Sequence, residues 1–492
     1  MKYVFIAAYF LIMLVIGLIS MRKISSVNDF FLGGRKIGPW MSAFAYGTTY
    51  FSAVIFIGYA GRIGWGFGLS AIWIGIGNAL LGSLAAWLVL AKKTREVTHR
   101  LNISTMPEFF EKRYGSKTLK ILSALIIFIF LVPYSASVYQ GLTYLFEAVF
   151  HVPFTYGILA MALLTAVYLT LGGYVATATN DFVQGIIMLM GTIVMVAFVL
   201  LNPHVGGLSS GLEKLAHIDS RLVAPVGPGG FSALMSLVIL TSIGSWGLPQ
   251  MIHKFYTIKD DEAVKRATII STAFALIVAG GAYFIGAFGR LFLNNQIPIN
   301  AATGKPDMDM IMPIVAMKAF PDWLLGLLAI LILSASMSTL ASLVLVSSSA
   351  ISMDLLREIK PGIKNSTETL IMRLLCLIFI IASVVIATNR QTVILSLMSF
   401  SWGTVSGSFL APYFYGLYWK RTTRSGAFAG FISGFATSVI LALVFKFNAG
   451  MAPQLGAISM AVSMIAVPTV SLLTQDVPDA HKSFVKGVAE EL

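Results

Sequence analysis

A row of hydroxyl side chains runs through the apolar stretch 333–343. Ser334, Ser338 and Ser342 recur every four residues, which places them on one face of a helix, and Thr339 follows Ser338. Small hard cations prefer oxygen ligands, and neutral hydroxyls release a monovalent ion more readily than carboxylates would. The row fits a monovalent-cation site. It also fits close helix packing, because serine and threonine hydrogen-bond across membrane helices. Both interpretations are open at this point.

A single acid stands out in the nearly uncharged stretch around Asp181. An acid at membrane depth costs roughly 2.5–3.5 kcal/mol on insertion scales, so it is usually functional or paired. An ion-related role is one interpretation. The other is an acid near the cytoplasmic end of a segment, where the helix dipole favours negative charge in the first turn.

The composition indicates what kind of protein must position these groups. Of the 492 residues, 57% are apolar and 11% are charged, with a mean hydropathy of +0.85. Soluble domains carry about 25% charged residues, so this composition excludes a soluble enzyme and a disordered chain. The single Cys376 excludes an internal disulfide and, with only six histidines, a Cys/His metal cluster. We therefore predict an all-α integral membrane protein.

The apolar residues form segments of the length that crosses a bilayer, about 20 residues each. We expect about thirteen crossings, at 2–21, 38–61, 67–91, 118–147, 154–172, 181–202, 231–253, 266–289, 323–352, 370–388, 392–419, 425–445 and 453–474.

Most of the 34 lysines and arginines fall in alternate loops, including a set that starts at Lys254. The positive-inside rule then places the N-terminus outside and the C-terminus in the cytoplasm, as an odd number of crossings requires. The net charge of +13 is therefore read as a topology signal, and no nucleic-acid partner is expected. The first segment has no small-residue cleavage site and is expected to stay as a helix rather than be removed as a signal peptide.

Two of the segments do not read as regular helices. The second carries Gly47, Thr48, Thr49 and Ser52 near its middle, and the seventh carries two glycines and a proline within 244–249. Proline removes a backbone donor and glycine loosens the helix around it. Unwound backbone survives in a membrane only where it lines a cavity or is buried in protein, so we expect binding sites at both breaks.

The two broken segments are five crossings apart and so run in opposite directions. This spacing predicts a 5+5 inverted repeat in which each half begins with a broken helix. The expected organisation is a peripheral helix and loop at 1–37, repeats at 38–230 and 231–421, and two peripheral helices with a tail at 422–492.

Four stretches of the chain carry a family resemblance. They are the NDFFLGGR run at 28–35, the LGGYVATATNDFVQG run at 171–185, the hydroxyl row, and GLYWKR at 416–421 followed by SGA. Together and in this order they resemble the sodium:solute symporter family. The resemblance implies a leucine-transporter-type fold, a multi-pass protein of the plasma or inner membrane, and Na+-driven uptake of a solute by alternating access, for which a monomer suffices.

The resemblance also implies the ion ligands. Na+ is expected on the backbone carbonyls of Thr48, Phe51 and Ala335 and on the hydroxyls of Ser338 and Thr339. Members that carry a second ion use an aspartate and two hydroxyl residues, which correspond here to Asp181, Ala341 and Ser342. Because alanine supplies no side-chain oxygen, we expect one Na+ per cycle.

Solute contacts in the family come from segments 2, 3, 4, 7 and 11. The positions carried over are Ser52, Ile55, Asn78, Tyr134, Ser242, Ser245, Trp246 and Gln250. Trp73 and Trp402 are either lids of the site or packing aromatics.

The solute itself is predicted only by class. No lysine or arginine is expected at mid-depth to clamp a carboxylate. This favours a small polar solute, neutral or zwitterionic, with amino acids and sugars both open and a monocarboxylate as the alternative.

A passive channel or sensor of transporter fold is a rival of another class. A membrane enzyme is disfavoured because titratable groups are not gathered at one face. Uptake that stops without sodium would distinguish a carrier from these rivals.

Overall fold

The computed structural model describes residues 6–13, 15, 31–300, 304–360, 362–389 and 393–474, with side chains at 168–176 and 365–366 outside the description. Most of the predicted first segment, the start of the 28–35 motif and the tail 475–492 lie outside the described residues.

The first half of the described chain is helical, as apolar segments must be to pair their backbone groups in hydrocarbon. Its helices are α1 Pro39–Tyr50, α2 Ala60–Phe67, α3 Ile72–Gly77, α4 Lys92–Arg100, α5 Met106–Tyr114, α6 Lys117–Phe150, α7 Phe154–Leu201 and α8 Leu208–Ile218. π-Helical turns at Val54–Tyr59, Asn78–Ala85 and Trp87–Ala91 and short 3₁₀ turns at Gly33–Arg35, Gly68–Ala71 and Ser220–Val223 complete this half.

The second half continues in the same way, with one small antiparallel hairpin. Its helices are α9 Phe231–Ser242, α10 Pro249–Tyr256, α11 Asp261–Ala287, α12 Gly289–Phe292, α13 Ile311–Ala319, α14 Asp322–Ser349, α15 Arg357–Ile359, α16 Asn365–Ala387, α17 Ile394–Tyr418, α18 Arg424–Val444 and α19 Ala452–Leu473. The hairpin pairs β1 Ile299–Asn300 with β2 Lys305–Pro306, 3₁₀ turns lie at Ile243–Gly247 and Met308–Met310, and a π-helical turn at Ala350–Leu356 joins α14 to α15.

Within the described ranges, nine helical stretches are long and apolar enough to cross a membrane, and a bent pair raises the number to ten. The predicted count of thirteen is not confirmed. The predicted second segment is divided by its break, and its second half falls with the third segment in one stretch, Val54–Arg100, which is interrupted at Gly68, where φ is 60° and ψ is −138°.

The break predicted in the second segment lies at Phe51 and Ser52. Helix α1 ends at Tyr50, and Phe51 is extended, with φ −112° and ψ 107°. The chain becomes helical again at Ala53 and Val54, where the Val54 N–H donates to Ser52 Oγ over 3.2 Å. The side chain of Ser52 thus replaces a backbone acceptor that the unwound turn has lost.

The break predicted in the seventh segment lies between α9 and α10. The chain tightens into the Ile243–Gly247 turn, passes through an extended Leu248, and restarts with Pro249 as the first residue of α10. Proline is well suited to that position because it has no N–H to lose. The two halves are bent by 47°.

Helix α14, which carries the hydroxyl row, forms the centre of the molecule. The most apolar window of its span is 100% buried, whereas the windows of Thr367–Ala387 and Arg424–Val444 are only 33% buried. It packs against α1, α6, α7 and α16. The two-fold relation between the halves and the proposed domain boundaries remain predictions.

Candidate sodium and solute sites

Thr339 of α14 meets the broken end of α1. Its hydroxyl lies 3.2 Å from the carbonyl oxygens of both Thr48 and Thr49, and 3.0 Å from the carbonyl of Ala335 one turn earlier. The unwinding after Tyr50 leaves the last carbonyls of α1 without partners in their own helix, so they can point at α14.

The neighbouring hydroxyl belongs to Ser338, which donates to Thr48 Oγ1 over 2.8 Å. Thr48 Oγ1 donates in turn to the carbonyl of Phe44. Phe51, the remaining predicted ligand, lies fully buried in the break itself. The structure thus brings Thr48, Ala335, Ser338 and Thr339 into one cluster, with Phe51 three residues beyond Thr48.

This cluster has more oxygen lone pairs than protons to share among them. The Thr339 hydroxyl can donate one hydrogen, yet three carbonyl oxygens surround it. This hydrogen cannot pair the carbonyls of both Thr48 and Thr49, and an unpaired buried acceptor costs about 1–3 kcal/mol, which a bound cation would remove. The oxygens are all uncharged, which is the chemistry expected for a monovalent ion.

A second cluster lies one turn along α14 and contains a lysine that the sequence interpretation misplaced. Lys254 Nζ lies 3.4 Å from Asp181 Oδ2 and donates to Ser342 Oγ over 3.0 Å. Asp181 and Lys254 are 0% and 1% exposed. Ser342 Oγ is also 3.0 Å from Thr49 Oγ1, so the two clusters are joined by a hydroxyl pair.

Two expectations about these charged residues are wrong. Lys254 is not in a cytoplasmic loop, because α10 continues to Tyr256 and carries the lysine into the interior. Asp181 is not in a first helical turn, because α7 runs from Phe154 to Leu201. A signal was present in the sequence, since Lys254 lies only five residues after the predicted break at Pro249, within reach of the same interior.

A small cavity opens beside the first break. The residues that line it are Tyr50, Phe51, Ser52, Val54, Ile55, Tyr59, Asn78, Tyr134, Thr241, Tyr283, Met398 and Trp402. Four of the predicted solute contacts are therefore together: Ser52, Ile55, Asn78 and Tyr134. None of the lining side chains is an acid or a base, so the cavity offers hydroxyls, an amide and aromatic faces to a ligand.

Asn78 is held in one orientation by hydroxyl groups. Its Oδ1 accepts from Thr241 Oγ1 at 2.9 Å, Ser242 Oγ at 3.0 Å and Tyr50 Oη at 3.4 Å. Tyr50 Oη and Thr241 Oγ1 also lie 2.5 Å and 2.8 Å from the carbonyl oxygens of Thr241 and Leu237, so each of these hydroxyls shares its single hydrogen between two acceptors. Asn78 thus brings its side-chain amide to the cavity wall.

The other four predicted solute contacts, all in the seventh segment, do not line the cavity. Ser242 lies one step behind it, bonded to Asn78, and Ser245 Oγ donates to the Ser242 carbonyl over 2.8 Å. Trp246 Nε1 donates to the Leu81 carbonyl over 2.9 Å. Gln250 is buried, and its Oε1 has no hydrogen-bond partner among the described residues.

Aromatic residues close the cavity around Trp402. Its ring packs edge-on against Tyr134 at 5.7 Å and stacks on Tyr50 at 6.2 Å between centroids. Trp73, the other lid candidate, is 49% exposed and is not part of the lining. Sequence reasoning missed Tyr50 and Thr241, although each is the immediate neighbour of a residue that it named.

Comparison with known proteins places these sites in a family context. The profile of the sodium:solute symporter family matches residues 30–434. The osmoregulated proline transporter OpuE of Bacillus subtilis is 31% identical over 98% of this chain and 97% of its own length. A sodium/proline symporter of Salmonella typhimurium is 30% identical over 87% of this chain and 85% of its own.

Solved structures of transporters share the fold. A Na+-coupled sialic acid symporter in a substrate-bound outward-open state aligns with a TM-score of 0.79 at 17% identity, over 97% of this chain and 98% of that chain. A transporter of the nucleobase-cation-symport-1 family aligns with a TM-score of 0.53 at 14% identity, over 93% of this chain and 98% of that chain. With a family match over most of its length and relatives above 30% identity, the chain is a multi-pass membrane transporter, not an enzyme, and belongs to the sodium:solute symporter family.

Proposed function

We propose that the protein imports a small zwitterionic solute of amino-acid size together with Na+, one ion per cycle, by alternating access. Proline is the first solute to test, because relatives at 30–31% identity are named as proline transporters. The proposed location is the plasma membrane, with the N-terminus outside and a monomer as the functional unit.

The observation that carries this proposal is the shared backbone of the ion cluster and the cavity. Thr48 and Thr49 turn their carbonyls toward Thr339, and the next residues, Tyr50 to Ser52, line the cavity. An ion bound by those carbonyls would fix the unwound turn and with it one wall of the solute site. The first ligand to bind would order this turn, so the second would bind with a smaller loss of conformational entropy. This is positive coupling between the two sites.

The lining of the cavity supports a zwitterion over a monocarboxylate. No lysine or arginine is among the lining residues, so a lone carboxylate has no bidentate partner there. A zwitterion can place its carboxylate against the Asn78 amide and backbone N–H groups of the break. Its ammonium group can lie against the faces of Tyr134 and Trp402, which attract cations.

One ion is sufficient to drive accumulation of such a solute. Moving one charge down 100 mV releases about 2.3 kcal/mol, and a tenfold Na+ gradient adds about 1.4 kcal/mol. A solute without net charge can then be concentrated a few hundredfold.

Uptake by purified protein in proteoliposomes tests the proposal. Radiolabelled proline, another neutral amino acid, glucose and lactate are compared under an inward Na+ gradient, with choline replacing Na+ as the control. We expect proline to accumulate above the outside concentration only with Na+. Entry that stops at equilibrium would indicate a channel, and accumulation of lactate instead of proline would overturn the solute class.

A further inference from the structure

The pair formed by Lys254 and Asp181 lies outside the solute cavity and beside the first ion cluster. Neither residue lines the cavity, yet both are fully buried. Burying two charges costs several kcal/mol per ion unless they are paired and hydrogen-bonded. A pair retained at the centre of a membrane protein calls for an explanation by function.

The partners of Lys254 include two oxygens of the kind that a small cation binds. Asp181 supplies a carboxylate oxygen at 3.4 Å and Ser342 a hydroxyl oxygen at 3.0 Å from Nζ. Ser342 lies three residues after Thr339 on α14, and its hydroxyl is bonded to Thr49 at 3.0 Å. The ammonium group therefore lies between oxygens that also border the first ion cluster.

We propose that Lys254 is a built-in cation, whose ammonium permanently occupies the position between Asp181 and Ser342 where a second Na+ would otherwise bind. This inference rests on the proposed function, since it explains why the transporter uses one ion per cycle. An ammonium group satisfies the carboxylate as an ion would, but it is tethered to α10 and is never released to the other side. It therefore adds nothing to the driving force.

The tether also has a mechanical consequence. Lys254 belongs to the second broken segment, Asp181 to α7 and Ser342 to α14. The ammonium joins these three elements in every state that keeps the pair, and through Ser342 and Thr49 it reaches the first break as well. A mobile second ion would make this connection only when bound.

Counting bound ions tests the proposal without any solute. Radioactive Na+ binding to the purified full-length protein in lipid nanodiscs is measured against choline, for the wild type, Lys254→Ala and Lys254→Arg. We expect about one ion and a Hill coefficient of about 1 for the wild type and for Lys254→Arg. Lys254→Ala opens the position and should bind a second ion, with a Hill coefficient above 1. Asp181→Asn/Lys254→Ala should return to one ion.

A buried lysine elsewhere provides the matched control. Lys120 is 7% exposed and is paired with Glu111 and Glu358. Lys120→Ala should leave the ion count at one.

Several outcomes would overturn the assignment. Two ions bound by the wild type, or one ion bound equally by Lys254→Ala and the double variant, would contradict it.

If Lys254→Ala does not fold, the variant Asp181→Asn/Lys254→Gln decides the question, because it leaves no buried charge unpaired. It should bind as many ions as the wild type, and the loss of an ion would show that Asp181 binds Na+ itself.

Failure of the proposed function gives a different pattern. If the folded wild type binds no Na+ while Lys254→Ala binds one ion, the first ion site is disproved. The proposal that Lys254 takes the place of a Na+ then still stands. If neither binds Na+, both proposals fall.

Discussion

At the scale of single residues, the Thr339 hydroxyl has more neighbouring carbonyl acceptors than it has hydrogens to donate. It is buried, it has one hydrogen, and three carbonyl oxygens lie within 3.2 Å. The same helix carries other buried hydroxyls that only bond back to their own turn, such as Ser336 to Ile332. Thr339 therefore contacts carbonyls of another helix, whereas Ser336 only donates to a carbonyl of its own helix.

We expect Thr339→Ala to raise the half-saturating Na+ concentration at least tenfold, which corresponds to about 1.4 kcal/mol of lost binding energy. The physical reason is the loss of one oxygen from the cluster around the break. Na+ titration of binding in nanodiscs measures the change. Ser336→Ala is the matched control and should leave the Na+ requirement near that of the wild type, and Thr339→Ser should retain most of the affinity. Equal requirements in Thr339→Ala and wild type would remove the hydroxyl from the ligand set.

Asn78→Ala should raise the KM for the transported solute about tenfold or more. The substitution removes the amide from the cavity wall and takes away the hydrogen-bond acceptor of the Ser242 hydroxyl. Initial rates of uptake at saturating Na+ measure the KM. Ser83→Ala in the same helical turn is the control, because Ser83 bonds to Ser271 at 2.9 Å and is not part of the cavity lining. An unchanged KM in Asn78→Ala would place the solute elsewhere.

At the scale of elements, the two breaks are stabilised by contacts from other helices. The last carbonyls of α1, those of Thr48 and Thr49, face Thr339 of α14, and the Gly244 carbonyl accepts from Ser406 Oγ of α17 over 2.6 Å. The breaks also face each other, since Tyr50 Oη donates to the Thr241 carbonyl. In this way backbone groups that have lost their helical partners remain paired away from water.

Gly82 shows how closely these elements pack. A Cβ atom at this position would lie 2.0 Å from Tyr50 Oη, and the Gly82 carbonyl accepts from Tyr46 Oη over 2.7 Å. Glycine is therefore required there by space, so that two tyrosines of α1 can rest on the backbone of the following helix.

Ser406→Ala is expected to destabilise the protein by about 1 kcal/mol, because it removes the hydrogen bond from Ser406 to the buried Gly244 carbonyl. The midpoint of thermal unfolding in detergent, compared with the wild type, measures the effect. Ser408→Ala provides the control on the same helix, since that hydroxyl bonds only to Thr404 one turn earlier. We expect Ser408→Ala to change the midpoint much less. Equal midpoints for the two variants would show that the second break does not depend on α17.

At the scale of the whole molecule, Asp309 joins distant parts of the chain outside the spanning helices. Its carboxylate lies 3.6 Å from the guanidinium of Arg62 in α2 and accepts from the Ile394 N–H at the start of α17. Burial raises the pKa of Asp309 from its ordinary 3.8 to about 6; the Arg62 charge opposes this rise, and Asp307 adds to it.

The raised pKa predicts that stability falls as the pH increases from about 4 to about 6. In this range the unfolded chain has already lost the Asp309 proton while the folded chain still keeps it. Above about 6 the folded state carries the full cost of a buried carboxylate. A rise of about two pKa units corresponds to a cost on the order of 3 kcal/mol. Unfolding midpoints between pH 4.5 and 7.5 measure this slope, and Asp309→Asn should flatten it. A wild-type slope retained in Asp309→Asn would assign it to another group.

Local patterns in the sequence determined the class of protein and the places where its helices break. Long apolar segments require helices because a membrane offers the backbone no water, and Gly and Pro weaken a helix wherever they occur. The breaks at Phe51–Ser52 and at Leu248 could therefore be predicted, as could the hydroxyl row of α14. The predicted number of crossings is not confirmed by the described residues, which leave out most of the first predicted segment.

The tertiary structure decided which groups meet across the molecule. Lys254 and Asp181 are 73 residues apart, and their pairing depends on how far α10 extends after Pro249 and on the direction in which it restarts. The orientation of Asn78 likewise depends on hydroxyls 163 and 164 residues away. Such contacts arise from packing between helices, which periodicity along one segment does not specify, and so a lysine that reads as a loop charge lies at the centre of the molecule.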